Sequence, residues 1–152
     1  MFRQMRRKDR MLGEAETQKI LLEGEYGVLC MQGDYPYAIP VSYVYMDNAI
    51  YIHCAASGLK LDLIRKCDKV CFTVSMDITT IPDKLTMHYK SAVLFGRASF
   101  SEAEEKKQAL IAFAGKYSME FMDYAMNSIE KHFDRTVIIK IAIEHLSGKQ
   151  SC

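Results

Sequence analysis

The sequence predicts an α+β domain built on a small antiparallel β-barrel of six strands with flanking helices. Two observations carry this reading. Six segments have strand character and follow one another through turns or short helices, while regular β-then-α alternation, which would mean a parallel sheet, is missing. The two longest helical patterns fall late in the chain, after residue 100. At 152 residues and 17.4 kDa the chain reads as a single domain, residues 1–152, able to bury about 70% of its unfolded surface. Its 49% apolar and 26% charged residues exclude a disordered tail, a collagen or a coiled coil.

The elements follow in order. Acidic residues ahead of Ile20, Leu21 and Leu22, with Gly24 beyond them, predict a helix over 14–24. Tyr26 to Met31 reads as a strand. After the turn chemistry of Gln32 to Pro36, Tyr37 to Met46 reads as a second strand, interrupted by Pro40, which belongs at an edge or bulge. Asp47-Asn48 suits a tight hairpin, so Ala49 to Cys54 returns antiparallel. A short helix over Leu59 to Cys67 follows the small-residue loop Ala55 to Gly58. Val70, Phe72 and Val74 then give strand period over Lys69 to Met76. Tyr89 to Phe100 alternates in the same way around Gly96, a residue that inside a strand marks a bulge or a close backbone approach. Ser101 and Glu104 have the spacing of a capping box. Leu110, Phe113, Ala114 and Tyr117 form the sheet-facing stripe of the helix that follows. A further helix runs from about Glu120 to His132, and Val137 to Ile143 is the last strand.

Charge and composition narrow the function. Twenty basic against nineteen acidic residues leave +1, too balanced for a protein that grips nucleic acid. No window reaches the roughly 18 uncharged apolar residues of a membrane span, and the basic start lacks an apolar signal core, so the reading is no membrane partner and a cytoplasmic location. Residues 1–10 hold five basic residues against Asp9 alone, an excess suited to an anionic ligand, a partner subunit or a solvated arm. Five cysteines without a CxxC pair argue against a disulfide framework and for a reducing compartment. Cys67 and Cys71 with His53 and His88 match no usual zinc spacing, so no metal is expected. Nine Tyr and no Trp put amphipathic rings at Tyr43, Tyr45 and Tyr51, either as a cleft wall or as half-buried strand positions.

The chemistry concentrates in two segments, Pro36 to Tyr43 and Tyr51 to Asp62. A strand ending in His53, a loop of small residues with the Ser57 hydroxyl, and a helix opening near Lys60 together make an anion site. Helix amides and a hydroxyl donate while the ammonium supplies charge. The simpler alternative is that Ser57 caps the helix and Lys60 is solvated. No GxGxxG or P-loop motif is present.

These segments, in this order, resemble the FMN-binding split-barrel superfamily of pyridoxamine 5'-phosphate oxidase, and within it the branch of 5-nitroimidazole antibiotic resistance proteins. The residues that carry the likeness are Met5 to Arg10, Gly24 to Leu29, Pro36 to Tyr43, His53 to Gly58 with Lys60, Lys69 to Phe72, Tyr89 to Ala98, and Glu104 to Lys106. The resemblance implies a split β-barrel homodimer with FMN at the subunit interface. It implies that Ser57, Gly58 and Lys60 hold the phosphate, that Pro40, Val41, Ser42 and Tyr43 run beside the isoalloxazine with Ile52 and His53 close by, and that Ser91 supplies a polar flavin contact. His53 is the candidate proton donor to a reduced substrate, since an unperturbed imidazole titrates near neutrality. The implied activity is reduction of a small acceptor of the nitroimidazole type, and the alternative is a non-catalytic flavin or haem binder with His53, His88, His132 or His145 as axial ligand. Two departures from the oxidase stand out. Gly58-Leu59 precede Lys60 where the oxidase's phosphate loop has an arginine, and no carboxy-terminal substrate residues match.

Overall fold

The chain in the computed structural model, which describes residues 1–152, forms eight strands and four α-helices. A short turn at Lys8–Arg10 leads into β1 (Met11–Leu12), α1 (Glu14–Glu23), β2 (Gly27–Met31), β3 (Tyr37–Val41), β4 (Val44–Met46) and β5 (Ala49–Ala55). Then come α2 (Leu59–Lys66), β6 (Lys69–Ile81), β7 (Thr86–Ser101), α3 (Ala103–Tyr117), α4 (Met122–His132) and β8 (Thr136–Ser151). All pairings are antiparallel, in the order β3-β2-β6-β7-β8-β5-β4, with β1 added on β8. The α+β class stands, while the strand count is eight instead of six.

The difference has a local cause. The run predicted as one strand, Tyr37 to Met46, breaks at Ser42-Tyr43, and its halves lie at opposite edges of the sheet: β3 pairs with β2 and β4 with β5. Tyr43 causes the break. Its side chain is fully buried, its hydroxyl donates to the Leu21 carbonyl at 2.7 Å, and its own N–H and C=O are taken by residues of α3, so neither joins a ladder. Pro40 sits in β3, which pairs on one side only, where a residue without an N–H costs no ladder bond.

The last strand runs eight residues past the expected Ile143, to Ser151. Leu146 to Lys149 alternates too weakly to read as a strand, yet it pairs with Ser91 to Leu94 of β7. Gly148 is required there, because a Cβ would collide with Thr17 of α1. Gly96 lies at a register shift between β7 and β8, and a Cβ would strike the Ala142 carbonyl, so the sequence's sign of a bulge is matched by both a bulge and a close approach.

Two cores share one sheet. Leu21, Leu29, Phe72, Leu94, Ile139 and Ile141 belong to the larger one, while Tyr51 and Ile138 of the sheet pack with Leu110 and Phe113 of α3 in the smaller. Strand β5 belongs to both, which is why Ala49, Ile50, Tyr51 and Ile52 are all buried: alternate residues face opposite cores. Tyr43 and Tyr51 are thus core residues and Tyr45 is half-buried. Leu110, Phe113 and Ala114 of the predicted stripe face the sheet, but its fourth residue, Tyr117, is 42% exposed because its hydroxyl reaches the Tyr43 amide and the Glu25 carbonyl instead of the core. The capping box at Ser101 and Glu104 does not form. Ser101 closes β7, and its hydroxyl donates to Glu105, which also pairs with Lys140. Helix α4 buries none of its residues, and no helix is long and apolar enough to cross a membrane.

Candidate functional site

On β5, side chains alternate between the two cores, so Ile52 points into the main one while Tyr51 and His53 share the α3 side. His53 meets Phe113 of α3 edge to face, with ring centroids 4.5 Å apart. The strand then opens into Ala55 to Gly58, and the chain turns into α2. Gly58 has φ +140° and ψ 165°, a conformation reserved for glycine, and no atom lies within 4 Å of where a Cβ would stand. The turn therefore leaves a bare approach to the start of the helix. The Gly58 carbonyl accepts the amides of Leu61 and Asp62, and the amides of Leu59 and Lys60 have no acceptor inside the chain.

The donors around this turn are unspent. Ser57 is exposed, Lys60 is half-buried, and Lys60 takes part in no ion pair. The Lys60 charge reaches both neighbours on β5. Packing against its surroundings, and secondly the Lys60 charge, hold the His53 imidazole below its ordinary pKa. Burial raises the Cys54 thiol, and Lys60 offsets part of that rise. A cation facing a neutral imidazole across a turn of free amides is the arrangement an anionic group with several acceptor oxygens would neutralise.

On the other side of His53 lies a cavity of about 910 Å3 between the sheet and the helices α3 and α4. Ser42 and His53 stand at its sheet side, Phe113 and Tyr117 stack as a wall with centroids 6.0 Å apart, and Phe121 and Tyr124 project from the α4 side. His132 also lines it, with Arg135 held 2.6 Å from its Nδ1. The Ser42-Tyr43 break is fixed to α3. Tyr117 Oη donates to the Glu25 carbonyl, accepts the Tyr43 amide and lies 3.0 Å from the Tyr43 carbonyl, while Lys116 Nζ donates to that same carbonyl.

Ser42, His53, Ser57, Gly58 and Lys60 therefore gather around the end of β5, and half-buried Val41 and exposed Pro40 lead up to Ser42. Tyr43 and Ile52 offer no side chain to this region, since both are buried in the main core. Ser91 lies elsewhere. It pairs with Lys149, whereas His53 pairs with Ile138, whose other neighbour is Ser101, so Ser91 lies ten positions along β7 from that point, about 33 Å of strand at the usual rise. Around Ser91 and Lys149 stand Tyr89 and Arg10, and Lys149 and Arg10 pull the Tyr89 phenol below its ordinary pKa. Nothing local in the chain marks Lys116, Tyr117 or α4 as parts of the site, because their roles depend on how α3 lies over a strand break. His132 enters the sequence reading only as one of four candidate axial ligands for a haem.

The comparisons with known proteins agree with this architecture. The family model described as Pyridoxamine 5'-phosphate oxidase matches residues 13–150. Among solved structures, the chain is similar to a protein from Bacteroides thetaiotaomicron provisionally named a 5-nitroimidazole antibiotic resistance protein (TM-score 0.76, 19% identity, 92% of this chain and 86% of that one). It is also similar to an FAD-binding protein from Mesorhizobium loti (TM-score 0.67, 24% identity, 94% and 98%). A third is the flavocytochrome Anf3 from Azotobacter vinelandii (TM-score 0.72, 18% identity, 98% and 72%). At these identities the likeness is one of fold. No curated protein matches the sequence.

Proposed function

The chain belongs to the pyridoxamine 5'-phosphate oxidase family, and from that premise we propose that it is a flavin-dependent oxidoreductase that holds FMN and reduces a small acceptor of the nitroaromatic type. The observation that carries the reading is the unspent donor set at Ser57 to Lys60 beside His53. That set fits a phosphate monoester: a hydroxyl, two free amides and one ammonium meet an anion rich in acceptor oxygens, and the bare side of Gly58 leaves room for close approach. Ser42 and His53 border the region where the flavin's ring system would lie.

Bound flavin supplies hydride or electron transfer; the protein supplies binding, orientation and protons. Lys60 and Ser57 anchor the phosphate end. His53, held neutral by its packing and by Lys60, donates a hydrogen bond from whichever ring nitrogen bears its proton, and in its protonated form it delivers a proton at that nitrogen. Lys116 and Tyr117 keep the Ser42-Tyr43 backbone in place. Ser91 enters the reading only through a second copy of the chain: in the homodimer that the resemblance implies, the β7 end of one protomer would have to reach the β5 end of the other.

The test is the absorption spectrum of freshly purified protein with mass identification of any released chromophore. A two-band yellow spectrum releasing FMN is the expected result. A Soret band, or a colourless protein that takes up no added FMN, overturns the reading.

A further inference from the structure

Away from the candidate site, two thiols face each other. Cys30 of β2 and Cys71 of β6 are direct register partners on antiparallel strands. Their neighbours along the strands, Leu29, Met31, Val70 and Phe72, all belong to the larger core, so both thiols stand on the opposite face of the sheet. Each is half-buried and free, and both line a shallow depression of about 400 Å3 together with Phe2, Phe95, Lys69 and Glu144. Burial first, then the charge of Cys30 and a hydrogen bond with it, push the Cys71 thiol up to about 11, so the two groups are near enough to interact. Directly opposed residues on antiparallel strands have Cα atoms about 4.5–5.5 Å apart, inside the roughly 4.4–6.8 Å that a disulfide spans. The flanks of the pair differ. Cys71 has Phe95 beside it on β7, with Phe2 stacked on that ring, whereas Cys30 has only the small, exposed Ala38 beside it on β3.

We propose that Cys30 and Cys71 are a reversible modification site, a dithiol that closes to a cross-strand disulfide by exchange with small disulfides of the glutathione class. Cys30 is the first nucleophile, because it is approached past Ala38 while Cys71 is walled by Phe95 and held protonated. The Cys30 thiolate attacks one sulfur of the small disulfide, whose other half leaves as a thiolate and takes up the proton that Cys30 released. Cys30 in the mixed disulfide carries no charge, which lifts that part of the restraint on Cys71. The Cys71 thiolate then attacks the Cys30 sulfur, and the second half leaves and is protonated in turn. Two protein thiols become one disulfide while the small disulfide is reduced to two thiols. Lys69, in no ion pair, offers its ammonium to the carboxylates of a peptide disulfide, and Glu144 is neutralised by Arg97. The bond closes the chain between β2 and β6, a stretch that contains Pro40 to Lys60, so oxidation ties together both ends of the segment carrying the candidate site.

The experiment incubates the purified protein in glutathione buffers from fully reduced to fully oxidised, quenches exchange with acid, alkylates the remaining thiols and maps every cysteine by intact mass and peptide fragmentation. The expected result in oxidised glutathione is the loss of two hydrogens, a crosslink joining Cys30 to Cys71 with no glutathione left on either, and return of both thiols in reduced glutathione. Cys71→Ser should instead retain glutathione on Cys30, and Cys30→Ser should leave Cys71 unmodified. Separate adducts on both residues of the wild type, a crosslink through Cys54, Cys67 or Cys152 in its place, thiols that stay free in fully oxidised glutathione, or a bond that reduced glutathione does not open overturns the proposal. If either variant fails to fold, the wild-type map decides alone.

Discussion

Lys116 Nζ donates to the Tyr43 carbonyl oxygen at 2.9 Å and lies 3.8 Å from the centroid of the Tyr43 ring. One lysine at the end of α3 thus holds both the backbone and the aromatic face of the residue at which the predicted strand divides. No carboxylate accompanies it, and burial lowers its pKa from the ordinary 10.5 to about 8. The clamp that shapes the Ser42 side of the site therefore carries an ionisation cost.

That cost has a sign. Between pH 8 and 10.5 the unfolded chain holds a proton on Lys116 that the folded chain has released, so stability rises with pH through this window. Denaturation midpoints of wild type measured against Lys116→Met should show the wild type gaining relative to the variant from pH 8 to 10.5. A difference that stays flat would mean the lysine is not desolvated.

Gly58→Ala tests the turn. The backbone at φ +140° and ψ 165° is closed to an L side chain although the space beside it is empty, so the loss is conformational and of the order of 1–3 kcal/mol. Urea unfolding should report it, together with weaker FMN uptake. An unchanged midpoint with unchanged uptake would show that the turn relaxes freely.

Tyr43→Phe removes the hydroxyl that satisfies the Leu21 carbonyl in the main core, and leaving a buried acceptor unpaired costs about 1–3 kcal/mol. Because the ring stays, packing is kept. Stability within a few tenths of a kcal/mol of wild type would remove the bond from the account of the strand break.

Packing and Lys60 lower the His53 pKa, so the imidazolium is present only below its ordinary midpoint near 6.5. Proton NMR titration should place His53 below 6.5 in wild type and move it upward in Lys60→Ala. If proton delivery limits turnover, kcat falls as pH rises through the lowered His53 midpoint, and His53→Gln loses the dependence while keeping FMN affinity. Equal loss of affinity and turnover would make His53 a cofactor ligand.

Much of this was legible in the sequence because it is local. The hairpin at Asp47-Asn48, the alternation of Val70, Phe72 and Val74, and the stripe Leu110, Phe113 and Ala114 are set by neighbours in the chain. So was the turn from His53 to Lys60, whose small residues and single glycine announce a helix start. Other features depend on distant contacts. The break at Ser42-Tyr43 needs Tyr117 and Lys116, more than 70 residues away, and the closing half of β8 gains its place from β7 and α1 without a pattern of its own. Ser101 has capping-box spacing, yet β7 runs through it and Glu105 takes its hydroxyl.

The most direct test of the central claim, that the Ser57 to Lys60 turn holds a flavin phosphate, is a fluorescence titration of flavin-free protein with FMN and with riboflavin, in wild type and Lys60→Ala. The account predicts that wild type prefers FMN, and that Lys60→Ala weakens FMN by about 1–3 kcal/mol while leaving riboflavin unchanged. Equal affinity of the two flavins for wild type, or an FMN affinity indifferent to Lys60, would contradict it.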